Sequence, residues 1–137
     1  MVNFFTEDVD FDLVKPLKTK KWLKSISESE GYAVGELNYV FCSDEYLLEI
    51  NKQYLDHDYF TDIITFDNSE EEHVLEGDIY ISIDRVRENA ATFKADFDLE
   101  MRRVLAHGLL HLMGWEDADD DLKKQMRAKE DEVLSRF

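Results

Sequence analysis

Two histidines four residues apart, His107 and His111, stand in the stretch His107-Gly108-Leu109-Leu110-His111-Leu112-Met113-Gly114-Trp115-Glu116-Asp117. On a helix that spacing puts the imidazoles about 40° apart around the axis and about 6 Å apart along it, so both can reach one ion. Gly114 suits the left-handed position just past a helix end. A turn there swings the next residues back toward the histidines, and Asp117 is then placed to offer an oxygen. Two imidazoles, one carboxylate and an open position form the ligand arrangement of a catalytic zinc site rather than a closed structural one. His107, His111 and Asp117 are therefore the candidate metal ligands, with Zn2+ the expected ion and another divalent metal the alternative.

The spacing equals that of the pattern H-E-x-x-H-x-x-G-x-x-H, with two departures. Gly108 replaces the general-base glutamate, and Asp117 replaces the last histidine. The first departure argues against a peptidase. Glu116, Asp119, Asp120 and Asp121 crowd around the third ligand, and acids at a helix start are stabilised by the helix dipole without any metal. Asp119 to Asp121 are expected to cap a last helix. Asp62 and Asp78, at the starts of two strands, are candidates to orient a ligand histidine through its second ring nitrogen or to act as a base. The plain alternative for both is an ordinary strand-edge acid. His57 and His73 lie in polar loop sequence and are expected at the surface.

The elements that must position these groups come from a chain of 137 residues with 44% hydrophobic and 35% charged residues, a globular balance within one expected domain over 1–137. The formal net charge of −16 opposes non-specific binding to polyanions, so a nucleic-acid role needs a local basic patch or a metal ion. The acidic N-terminus lacks the basic and apolar regions of a signal peptide, and no apolar run reaches a membrane span. The single cysteine, Cys42, cannot form an internal disulfide, which fits a reducing cytoplasm and a buried, inert thiol.

A first strand is expected over 2–6. Leu17, Trp22, Leu23 and Ile26 then mark a helix from Pro16 to about Glu30, stopped by Gly31. Its Lys15, Lys18, Lys20, Lys21 and Lys24 form the most basic segment, read as a solvated face or as a docking patch for RNA or the ribosome. Residues 36–42 alternate as a strand, with Leu37, Tyr39 and Phe41 on one face. Ser43 caps a helix reaching about Tyr54. Residues 61–66 read as a buried strand and 76–82 as another, joined as a hairpin, with Gly77 marking a close backbone approach. Val86, Ala90 and Phe93 mark the next helix, Leu99 to Met113 a core helix, and Leu122, Met126 and Val133 the last. The order β-α-β-α-β-β-α-α-α gives an α/β (α+β) fold, a mixed four-stranded sheet backed by about five helices.

The sequence resembles the YbeY family of metal-dependent endoribonucleases. The carrying residues are 107–117 above, Thr-Asp-Ile-Ile-Thr-Phe at 61–66, Gly-Asp-Ile-Tyr-Ile-Ser at 77–82 and Asn-Lys-Gln-Tyr at 51–54. The resemblance implies an α/β fold with zinc in a cleft and cleavage of single-stranded RNA. It also implies a role in ribosomal RNA processing, especially at the 3′ end of small-subunit RNA, and in ribosome quality control. The expected partners are precursor rRNA and the small ribosomal subunit, with no DNA and no membrane. Asp117 takes the place of the family's third histidine, and Leu55 stands where the family carries an arginine that contacts RNA phosphate. Two other readings accompany this one: a non-catalytic ribosome-assembly or RNA-binding module with a structural metal, and a small zinc peptidase.

Overall fold

Apolar alternation in the strands and helical apolar stripes elsewhere resolve into nine elements in a computed structural model that describes residues 1–137. They are β1 (Val2–Thr6), α1 (Pro16–Ser29), β2 (Ala33–Cys42), α2 (Asp44–Leu55), β3 (Ile63–Asp67), β4 (Val74–Ser82), α3 (Ile83–Thr92), α4 (Phe97–Leu112) and α5 (Asp120–Leu134). The sheet runs β1-β2-β4-β3; β1-β2 and β2-β4 are parallel, and the β3-β4 hairpin is antiparallel. The expected mixed four-stranded sheet and five helices are therefore present.

Parity along each strand decides which layer a side chain joins. Leu37, Tyr39 and Phe41 of β2 and Leu75, Ile79 and Ile81 of β4 point to one face and are essentially fully buried with α1 and α4. Each such side chain contributes about 1.5–3 kcal/mol by leaving water. Cys42, Ile64 and the ring of Tyr80 point to the other face, where α2 covers them with Leu47 and Ile50. Polar ties lock the layers together. The Tyr39 hydroxyl donates to the Leu105 carbonyl of α4 at 3.0 Å, and Trp22 Nε1 of α1 donates to the Val133 carbonyl of α5 at 2.8 Å. No helix is long and apolar enough to cross a membrane.

Three expectations need correction. β3 spans Ile63–Asp67 as an edge strand, and of its residues only Ile64 is buried. Its place at the edge follows from the hairpin turning outward past β4, which its β-branched composition cannot reveal. β2 begins at Ala33, earlier than the apolar alternation indicated. Phe93 lies one residue past the end of α3, 61% exposed, rather than on the helix's inner face. The close approach at Gly77 is real: a Cβ there would lie 2.3 Å from the Phe66 carbonyl oxygen.

Candidate metal centre

Helix α4 ends as the sequence indicates. Gly114 has φ +94°, its N–H donates to the His111 carbonyl at 3.0 Å, and the Trp115 N–H donates to the Leu110 carbonyl at 3.0 Å. This paired Schellman arrangement satisfies the last carbonyls and reverses the chain. Asp119 then starts α5, its Oδ1 accepting from the Leu122 N–H at 2.8 Å. Asp119 to Asp121 thus belong to the helix start. Asp117, between the two helices, is left to face the histidines.

His107 Nε2 lies 2.9 Å from His111 Nε2 and 3.4 Å from Asp117 Oδ2, and His111 Nε2 lies 3.5 Å from that same oxygen. Ligands about 2.0 Å from a tetrahedral ion are separated from one another by about 3.3 Å. The three edges bracket that value. All three side chains are half-buried, so one approach to the group stays open. The chemistry of the donors agrees: two imidazole nitrogens and a carboxylate oxygen turned toward one point suit a divalent ion with a free coordination position.

The ring orientation is fixed from α5. His107 Nδ1 lies 2.7 Å from Glu130 Oε2, so the Nδ1–H donates to the carboxylate and Nε2 keeps its lone pair for the ion. Glu130 is only 5% exposed. Its Oε1 accepts from Arg103 Nη1 at 3.0 Å, and Arg103 Nη2 donates to Asp131 at 2.7 Å. Burial pulls the His107 pKa down, but the Glu130 hydrogen bond and the charges of Glu130, Asp117 and Asp62 outweigh it and raise the pKa above the ordinary histidine value. Without an ion the group therefore favours a proton at the place where a cation would sit.

Asp62 lines the same 340 Å³ cavity as His107 and Asp117. Its carboxylate accepts from Asn89 Nδ2 at 3.4 Å. Burial raises its pKa, against the opposing pull of His107. Asp78 is not brought to the site. It alternates with Ile79 and so faces away from α4, where it accepts from Asn38 Nδ2 at 3.0 Å and lines the cleft beneath α2. The carboxylate that holds a histidine's second nitrogen is Glu130, not Asp62 or Asp78. Its signal was present in the sequence: with Met126 and Val133 it forms a buried stripe on α5, an acid where an apolar residue is expected.

Gly108 explains the departure from the zincin pattern. A Cβ at this position would lie 2.8 Å from Ile63 Cδ1 and 3.1 Å from Ile79 Cγ2. The position packs α4 onto the sheet and has no room for a glutamate. Leu55 closes α2, 41% exposed, and lines neither cavity beside the triad. His57 and His73 are exposed; His57 stacks on Tyr59 and His73 meets Tyr32 edge-on. Among the α1 lysines, Lys18 lies over the Phe137 ring and Lys24 pairs with exposed Glu28. Cys42 is buried, and its thiol is pushed up to about 12 by burial and by Asp8, Asp44, Glu7 and Asp84.

A family model described as "Endoribonuclease YbeY" matches residues 5–137. A Cytophaga hutchinsonii protein named endoribonuclease YbeY is 54% identical over 134 residues, covering 98% of this chain and 94% of its own. A Flavobacterium psychrophilum protein of the same name is 49% identical over 133 residues, covering 97% and 94%. The solution structure of TM1509 from Thermotoga maritima superposes with a TM-score of 0.71 at 30% identity, covering 98% of this chain and 87% of that one. With its sheet order, its α4 histidines and its near full-length relatives, this chain belongs to the YbeY endoribonuclease family.

Proposed function

We propose that this protein is a zinc-dependent endoribonuclease that cleaves single-stranded RNA in the cytoplasm during rRNA processing, including maturation of the small-subunit rRNA 3′ end, with 1–137 acting as one domain. The observation that carries this reading is the triad of ligand-capable atoms, 2.9–3.5 Å apart, in a chain whose family is named for RNA cleavage. His107, His111 and Asp117 would hold the ion. When bound, the ion supplies a Lewis acid for a phosphate oxygen and for the nucleophile.

The chain's own residues supply the rest. Glu130 holds His107 in the tautomer that leaves Nε2 free, and Arg103 holds Glu130. Asp117 adds a negative charge to the ligand set, which would lower the net charge at the reacting phosphate relative to three histidines. Asp62, on the wall of the same cavity with its proton affinity raised by burial, is the group suited to accept a proton from the attacking oxygen. Gly108 supplies no base, which disfavours peptide hydrolysis.

The test is incubation of zinc-loaded native protein and His111→Ala with a single-stranded RNA, its DNA counterpart and an unstructured protein. RNA cleavage that is lost in the variant is expected, with DNA and protein left intact. Equal RNA cleavage by both proteins, or none by the native chain, would overturn the reading.

A further inference from the structure

The triad lies between two openings. His111 borders one, with Thr65, Gly114 and Trp115; His107 and Asp117 border the other, which runs along α5. Three cations face the α5 cavity, and they are not equivalent. Arg103 is committed to Glu130 and Asp131, and its side chain is 15% exposed. Lys123 and Arg127, one helical turn apart on α5, are exposed and form no salt bridge, although the chain is rich in carboxylates. Lys129, on the same helix, is by contrast paired with Glu30 and Glu132. An unpaired lysine and an unpaired arginine on one wall of a cavity are free to receive an anion.

The same cavity is lined by Phe93 from the end of α3, 61% exposed and stacked on no other ring. Helix α3 ends at Thr92, and Lys94 takes a left-handed φ of +53°, so the ring stands on a tight turn rather than on a flexible loop. A flat hydrophobic face and two cations outside any ion pair in one cavity, beside a metal-ligand triad, fit one ligand chemistry: a single-stranded polynucleotide, with phosphate on the cations and a base on the ring. The cavity also contains Asp62, Glu100, Asp117 and Glu130. Glu130 is paired with Arg103 and turned toward His107 Nδ1, so its charge is compensated by the guanidinium rather than left to face a phosphate.

We infer that the α5 cavity is the seat of the nucleotide next to the scissile phosphate, with Lys123 and Arg127 as phosphate-contacting residues and Phe93 as its base platform. This rests on the proposed RNA-cleaving reading and adds the direction in which the strand leaves the metal centre: along α5, not through the opening beside Trp115.

The test is fluorescence anisotropy of zinc-loaded protein with a 2′-O-methyl single-stranded oligonucleotide, titrated over a salt series. Each phosphate contact on a single strand contributes about 0.7 to the slope of log affinity against log salt. The Lys123→Gln/Arg127→Gln double variant is expected to lose about 1.4 from that slope. Phe93→Ser should weaken binding about tenfold with the slope unchanged. Lys124→Gln, on the same helix but outside the cavity, should match the native protein. A native slope in the double variant, or an equal loss in Lys124→Gln, overturns the assignment while leaving the RNA reading intact. A native chain that binds no oligonucleotide overturns both.

Discussion

Glu130→Ala tests the link between α5 and the metal ligands. Two losses follow from the geometry. His107 loses the acceptor that lies 2.7 Å from its Nδ1, so its ring is free to rotate and to change tautomer. Loss of such an outer partner lowers metal affinity about 10- to 100-fold, or about 1.4–2.7 kcal/mol. Arg103 loses one of two partners in a position where its side chain is 15% exposed. Removing one member of a buried pair costs about 3–5 kcal/mol. Asp131 still holds the other guanidinium nitrogen at 2.7 Å, so the lower end, about 3 kcal/mol, is expected. Glu130→Gln keeps an oxygen for the Nδ1–H but removes the charge, and should fall between native and alanine in both quantities. Zinc affinity is read by competition with a chromophoric chelator, and stability by urea unfolding of metal-free protein. Native zinc affinity in Glu130→Ala would refute the orienting role even if the variant were less stable.

Other consequences are open to equally direct tests. Gly108→Ala gains about 1 kcal/mol of helix propensity but drives a methyl to 3.1 Å from Ile79 Cγ2, an atom tied to the strand backbone. A net loss of about 1 kcal/mol with zinc content retained is expected, and a rise in Tm would contradict the packing argument. Cys42, buried and with its pKa pushed up to about 12, should resist a thiol reagent at pH 8 in the folded protein and react on unfolding; prompt reaction in the native state would contradict its burial. Glu100 has no side-chain hydrogen bond or ion pair, and burial raises its pKa, ahead of the opposing charges of Arg103 and Arg127. An acid with a raised folded pKa contributes stability below its unfolded pKa and loses it as pH rises through the folded value. Glu100→Gln should therefore be more stable than native at pH 8 and not at pH 4 in urea unfolding; the reverse order would contradict the burial effect.

How far the sequence foretold the site depended on whether the controlling contact was local. His107, His111, Gly114 and Asp117 obey helix geometry and helix-end chemistry within eleven consecutive residues, and the structure brings the two histidines and Asp117 together at metal-ligand spacing. Ser43 and Asp119 likewise cap the helices they precede, each through its own side chain. Glu130 is contributed by a different helix, and no local rule connects it to His107. Only its place on the Met126–Val133 stripe marked it as an acid with a buried partner. Asp78 was misplaced although the period-two pattern could have placed it: alternating with core residues Ile79 and Ile81, it must face away from α4. The edge position of β3 and the exposure of Phe93 depend on strand order and on where α3 stops, which are properties of the assembled sheet and helices.

The central claim is that His107, His111 and Asp117 together hold one ion. The most direct measurement is metal content by mass spectrometry on untagged native protein and on Asp117→Ala, with folding of both verified. One zinc per native chain and a much reduced content in the variant is the predicted result. An undiminished content in Asp117→Ala would contradict Asp117 as a ligand, and no metal in either protein after zinc is added back would contradict the metal centre itself.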